Sequence, residues 1–165
     1  MIKKKICMLG AFAAGKTSLV QRYITGIFSE KYFTTIGVKI DKKTVIRNEQ
    51  VVELLLWDLY GEDKFLNVQA SYLRGSSGYF LVIDGTRRET LETARILQNR
   101  AEEAIGKKPF VVVINKSDLK SEWEIDTNAL DELLSGSIAV IETSAKTGQC
   151  VEEIFTTLTN KMMEG

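Results

Sequence analysis

The sequence contains no histidine, a single proline and two cysteines in 165 residues. The missing histidine excludes imidazole acid–base catalysis and histidine-ligated metal centres. Cys7 and Cys150 lack metal-type spacing, and they read as reduced core residues of an intracellular protein. Pro109 stands at the start of a candidate strand, where proline is tolerated. Net charge is lacking as well: Lys+Arg and Asp+Glu both number 22. That leaves no electrostatic case for nucleic-acid binding or general membrane attraction. The short run Lys3-Lys4-Lys5 reads as a solvated strand entrance. No apolar run is long enough to span a bilayer, and no signal peptide is present. An apolar content of 44 % in a chain of this length fits one soluble domain over residues 1–165.

Against these absences, Gly10-Ala11-Phe12-Ala13-Ala14-Gly15-Lys16-Thr17 fits the pattern G-x-x-x-x-G-K-[ST]. It lies between an apolar strand-like stretch, 2–9, and a helix-like stretch that continues through Ser18 to residue 25. A glycine-rich turn there points backbone N–H groups into a concavity at the positive end of a helix dipole, which binds phosphate. Gly10 and Gly15 supply backbone freedom. Ala13, Ala14 and Ser18 complete the cradle. Lys16 is placed to reach the β- and γ-phosphates, and the Thr17 hydroxyl to ligate Mg²⁺.

Asn115-Lys116-Ser117-Asp118 follows the apolar run 109–114, which reads as a buried parallel strand. The Asp118 carboxylate can accept hydrogen bonds from N1–H and the N2 amino group of guanine. Adenine offers neither, and polar sites of this kind discriminate by ~10⁴-fold or more. Lys116 can lay its stem over the purine, and Asn115 can tie this loop to the phosphate loop. Thr143-Ser144-Ala145-Lys146 follows another strand, and the Ala145 N–H is the candidate donor to guanine O6. Asp58 ends the strand 50–57 and is placed to hold Mg²⁺ through water. The Gly61 N–H can meet a γ-phosphate oxygen. Thr35 is the candidate second hydroxyl ligand. Thr17, Thr35 and Asp58 would thus help to build an octahedral oxygen shell.

With these motifs in place the chain resembles the Ras-like small GTPases, and the Rab branch most closely, over essentially its whole length. Phe28, Tyr32, the segment from Thr35 to Val38, Trp57-Asp58, 71–75 and 82–86 all look like Rab-type residues. The resemblance implies a GTP/GDP-cycling switch with Mg²⁺ on a single G domain. It implies Phe28 beside the guanine, switches at 28–40 and 60–73 that meet effectors, and exchange and activating proteins as further partners. An apolar effector patch would comprise Ile40, Trp57 and Tyr72, although Trp57 also reads as core. A P-loop kinase or ATPase shares only the phosphate loop and is disfavoured by Asp118 and the loop at 144–146.

The alternation of elements predicts an α/β, three-layer P-loop NTPase fold: a six-stranded, mostly parallel sheet with helices on both faces. Strands are expected near 2–9, 37–47, 50–57, 78–84, 109–115 and 137–142. Helices are expected near 16–25, 64–74, 88–105, 127–134 and 151–162. Arg47-Asn48-Glu49-Gln50 is a hairpin turn. Leu91, Ala94, Ile96 and Leu97 read as the core-facing stripe of one helix.

Two departures from the family pattern bear on rate. The family's water-orienting glutamine is Glu62 here. A carboxylate only accepts hydrogen bonds, and at ~5 Å with an effective dielectric of ~20 it repels each phosphate charge by ~3 kcal/mol. The candidate catalytic set, Lys16, Thr35, Gly61 and Glu62, is therefore expected to hydrolyse GTP slowly. The alternative is a solvated Glu62, with water positioned by something else. Phe12 replaces a small residue beside the γ-phosphate. It would either crowd the route of an activator's arginine, or fold over the phosphates as a lid or pack against a switch with no effect on rate. Slow hydrolysis leaves a second reading open, a GTP-binding interaction module that never turns over. The third departure is the end at Gly165, with no C-a-a-X motif or polybasic run. Ile2 after the initiator methionine also rules out N-myristoylation. The expectation is a cytoplasmic protein, with peripheral membrane attachment reserved for a chain carrying a further tail.

Overall fold

A computed structural model describes residues 1–28, 38–59, 70–127, 130 and 135–164. The strands are β1 (Ile2–Gly10), β2 (Val38–Arg47), β3 (Gln50–Leu59), β4 (Ser76–Asp84), β5 (Phe110–Asn115) and β6 (Ala139–Glu142). The helices are α1 (Lys16–Thr25), α2 (Ala70–Leu73), α3 (Glu89–Ile105) and α4 (Val151–Met162). A kinked 3-10 turn at Ser117–Glu122 follows β5. The strands form one sheet in the order β2-β3-β1-β4-β5-β6. Every adjacent pair is parallel except β2 and β3, which form the antiparallel hairpin. The expected α/β fold is the one observed. Most of the helix expected at 127–134 and the start of that expected at 64–74 lie outside the described residues.

Strand identity follows burial. β4 and β5 are apolar on both faces, as a central parallel strand covered on both sides must be. Along β1 the side chains alternate. Ile6 and Met8 join α1 and α4 in one core, while Cys7 and Leu9 join α2 and α3 in the other. Tyr23 of α1 stacks on Phe155 of α4 with centroids 3.8 Å apart, and Phe80 meets the same ring edge-on. Both faces are therefore sealed. Among the described residues no helix is long and apolar enough to cross a membrane.

Two local expectations need correction. In α3 the buried stripe is Thr90, Ala94, Leu97, Gln98 and Ala101, with Leu91 at its edge. Ile96 is only half-buried, because two residues on from Ala94 is nearly the opposite face of a 3.6-residue turn. Lys5 is not a solvated strand entrance. Its ammonium donates to the Tyr72 carbonyl at 2.6 Å and the Arg74 carbonyl at 2.8 Å, and it lies 3.7 Å from the centroid of the Trp57 ring. It satisfies carbonyls at the C-terminal end of α2, where cations are favoured. Partial burial lowers its pKa, with the neighbouring Cys7 acting the other way.

The turn between β2 and β3 has two central residues, Asn48 at φ 51° and Glu49 at φ 63°. This is the left-handed geometry that two-residue hairpins favour, and glycine is preferred at its second position. A non-glycine residue there costs roughly 1 kcal/mol. Glu49→Gly is expected to raise stability by about 0.5–1 kcal/mol in equilibrium urea denaturation; an unchanged or lower midpoint would refute this.

Tyr23 yields a second expectation. Burial, reinforced by Glu152 and opposed by Arg47, pushes its phenol from 10.0 up to about 12. The folded state thus favours the neutral form. That contribution is complete below pH 10 and is lost as the pH climbs towards 12, at most roughly 3 kcal/mol. Tyr23→Phe should flatten the alkaline limb of the stability curve, measured as unfolding free energy against pH from 8 to 12. Parallel curves for the two proteins would refute it.

Candidate functional site

β1 ends at Gly10, where an added Cβ would lie 2.4 Å from the Val82 carbonyl oxygen of β4, so only glycine fits. The chain then turns, with Ala14 N–H donating to the Ala11 carbonyl at 3.2 Å. Ala13 and Gly15 take left-handed conformations, φ 61° and 105°. Such alternation curls successive N–H groups into a nest. A Cβ on Gly15 would stand 2.1 Å from Asn115 Nδ2. α1 starts at once, Leu19 N–H donating to the Gly15 carbonyl at 2.9 Å. Lys16 is buried and spans the loop, its ammonium donating to the carbonyls of Gly10 at 2.9 Å and Ala11 at 3.1 Å. Phe12 is 45 % exposed at the tip.

The Thr17 hydroxyl donates in a short contact to Asp58 Oδ2, at the buried end of β3. Among the described residues no three His, Cys, Asp or Glu side chains cluster as metal ligands. A cation here would therefore draw most of its shell from hydroxyl, phosphate and water oxygen. One hydroxyl and one carboxylate side by side are hard donors that suit Mg²⁺.

The segments 115–118 and 143–146 converge on the same edge. Asn115, buried at the end of β5, donates from Nδ2 to the Ala14 carbonyl at 3.1 Å. Its Oδ1 accepts from the Thr143 hydroxyl and the Ala145 N–H, each at 3.2 Å. The Asp118 carboxylate is exposed, and Oδ1 accepts from the Ser144 hydroxyl at 2.8 Å. Ser144 is buried, and its own hydroxyl accepts from Thr147 N–H at 3.1 Å. Ser117 N–H donates to the Thr143 carbonyl at 2.9 Å. Phe28 packs half-buried against the α1–α4 core. Lys146 is exposed. Thr35, Gly61 and Glu62 lie outside the described residues. Ile40 and Trp57 are cross-strand neighbours, Ile40 and Tyr72 being 48 % and 36 % exposed.

Four further residues join the site without standing in any of its motifs. Arg22 of α1 donates to the Thr147 carbonyl at 3.1 Å, holding the 144–148 loop. Trp123 Nε1 donates to the Lys116 carbonyl at 2.8 Å, and its ring lies where a Cβ on Gly85 would be. Lys116 is itself left-handed, φ 72°, and its ammonium donates to Asp84 Oδ2 at 2.7 Å. Arg87 Nε donates to the same oxygen at 3.0 Å. Asp84 had two sequence signals, a carboxylate closing the apolar run 79–83 and its place in the Rab-type segment 82–86. Arg22 bonds a carbonyl 125 positions away, and Arg87 and Trp123 bond partners only 3 and 7 residues away in no pattern that a motif marks.

Comparison of the sequence with known proteins shows its family. A model of the Ras family matches residues 5–164. The Ras-related protein Rab-1A of Dictyostelium discoideum is 32 % identical over 160 residues, covering 96 % of this chain and 79 % of that protein. The Ras-related protein SEC4 of Saccharomyces cerevisiae is 34 % identical over 163 residues, 97 % of this chain and 75 % of that protein. Human Ras-related protein Rab-27B is 31 % identical over 173 residues, with coverages of 97 % and 79 %. A backbone nest, a hydroxyl–carboxylate pair and two loops tied to one asparagine thus sit in a sequence matched along nearly its full length. The chain belongs to the Ras family and is a small GTP-binding switch protein.

Proposed function

We propose that the chain cycles between GTP and GDP with Mg²⁺ and hydrolyses GTP slowly. The observation that carries this reading is Asn115, whose side chain bonds the phosphate loop and the 143–145 loop at once. One ligand with a purine at one end and phosphates at the other suits such a site. Asp118, aligned by Ser144, accepts from the guanine N1–H and N2 group. The Lys116 stem lies under the ring, and Phe28 flanks it. Lys146 belongs to the same loop. Ala145 N–H meets O6 while sharing its present bond to Asn115. N–H groups of residues 13–18 cradle the phosphates, and the Lys16 ammonium neutralises charge that builds on them in the transition state. Thr17, Thr35 and Asp58 hold Mg²⁺, which when bound draws charge from the phosphate oxygens.

Thr35 and Gly61 sense the γ-phosphate, so its loss releases the segments 28–40 and 60–73. Family membership implies effectors, exchange factors and activating proteins as partner kinds. The exposed Ile40, cross-strand neighbour of Trp57, and the exposed Tyr72 are the apolar groups an effector would cover. Glu62 accounts for slow turnover: it cannot donate to the transferring phosphoryl group, and it carries charge towards it. Phe12 stands at the mouth of the loop, where an activator's arginine would enter.

Protein loaded with GTP and Mg²⁺ and followed through one turnover tests the reading. Slow conversion to GDP is expected, with Glu62→Gln faster by about tenfold, equivalent to roughly 1.4 kcal/mol of barrier. A variant no faster than wild type would remove Glu62 as the cause. Bound GTP that stays intact in both proteins would favour the non-hydrolysing module. Asp118→Ala should weaken GTP by at least about a hundredfold and abolish the preference over ATP, read by competition against a fluorescent guanine nucleotide. Retained preference would refute the base assignment.

A further inference from the structure

Asp84 ends β4 with no solvent exposure. Its Oδ2 accepts from Lys116 Nζ at 2.7 Å and Arg87 Nε at 3.0 Å. Its Oδ1 accepts from the Thr86 hydroxyl at 2.7 Å and the Thr86 N–H at 2.9 Å. Arg87 then reaches across to the phosphate loop, Nη2 donating to the Phe12 carbonyl at 2.6 Å. A continuous chain, Phe12–Arg87–Asp84–Lys116, thus joins the tip of the phosphate loop to the lysine of the base motif.

A buried ion pair is weak evidence of a stabilising role, since an apolar replacement is often as stable. The geometry at the loop gives this one a different use. Peptide units are planar and, as there is no cis bond here, each carbonyl points opposite to the N–H that follows it. Lys16 draws the carbonyls of Gly10 and Ala11 to itself, and Arg87 draws that of Phe12. Arg87 thereby fixes the plane of the Phe12–Ala13 peptide and turns the Ala13 N–H away from the guanidinium. Ala13 is held at φ 61°, a conformation unfavourable for alanine, so this plane needs an external hold.

We propose that Arg87, anchored by Asp84, is a positioning residue. It orients the Ala13 N–H for the outer phosphates and couples that orientation to Lys116 beneath the base. The inference rests on the nucleotide reading above. Arginine is required because its planar fork donates to two acceptors at once, whereas an ammonium is a point charge on a flexible stem. Burial alone would raise the Asp84 pKa, but the bonds from Lys116, Thr86 and Arg87 outweigh it and hold the carboxyl below its ordinary value. The anchor therefore stays charged at neutral pH.

The test is release of fluorescent GDP from wild type, Arg87→Ala, Arg87→Lys and Asp84→Asn, with GMP as competitor in each. Arg87 is 31 % exposed, so its variants should keep the fold, checked by far-UV circular dichroism. Loss of a charge-assisted bond should speed release from Arg87→Ala about tenfold or more. Arg87→Lys should recover little of this, and Asp84→Asn should release at least as fast as Arg87→Ala. In the Arg87 variants the loss should fall on GDP and spare GMP, which lacks the outer phosphate. Unchanged release from Arg87→Ala, full rescue by lysine, or equal loss for GMP would overturn the proposal while leaving nucleotide binding intact. A wild-type protein that holds no fluorescent GDP would overturn the nucleotide reading and this inference with it.

Discussion

The side chain of Asn115 sets the geometry on which the site depends. Its amide donates to the phosphate loop through the Ala14 carbonyl, and its oxygen accepts from Thr143 and Ala145. Those three groups lie on the connections that follow β1 and β6, while Asn115 itself ends β5. The contact is close enough that Gly15 can carry no Cβ. A buried primary amide that left these groups unmet would cost more than its own bonds return. The site is therefore assembled with the fold, not added to it.

Sheet topology explains why one residue can serve so many loops. β1, β3, β4, β5 and β6 run parallel, so the connections after them open along one edge. Open α/β sheets bind ligands along that edge. The antiparallel β2 is what lets β3 run this way: the hairpin reverses the chain and delivers Asp58 beside Thr17. Arg22 and Trp123 then hold the loops after β6 and β5 from outside, one from α1 and one from the segment after the 3-10 turn.

Much of this was legible in the sequence, for identifiable reasons. α1 and α4 begin and end where expected, because Gly15 and Gly26 bracket the first and the apolar period of the second is strong. β4 and β5 announce themselves as unbroken apolar runs. Phosphate and base motifs are local patterns, so their residues could be named from spacing alone. What escaped was long-range. Nothing near Lys5 signals that it ends α2 from 67 residues away. The motif gives a place to the Lys116 stem but none to its ammonium, whose partner Asp84 lies 32 residues earlier. Ile96 was misplaced because an apolar neighbour of Leu97 was counted into the stripe when the angular position about the helix favours Gln98.

The two tryptophans of the chain are Trp57 and Trp123. Trp57 lies under the Lys5 ammonium beside the end of α2, and Trp123 lies over Gly85, hydrogen-bonded to the base lysine. Each ring also has a lysine ammonium near its face, Lys5 at 3.7 Å and Lys120 at 4.4 Å. The chain's own ultraviolet emission therefore arises in two places, the end of α2 and the loop that follows β5. Removing one indole at a time would let each place be observed through intrinsic light, with no dye attached.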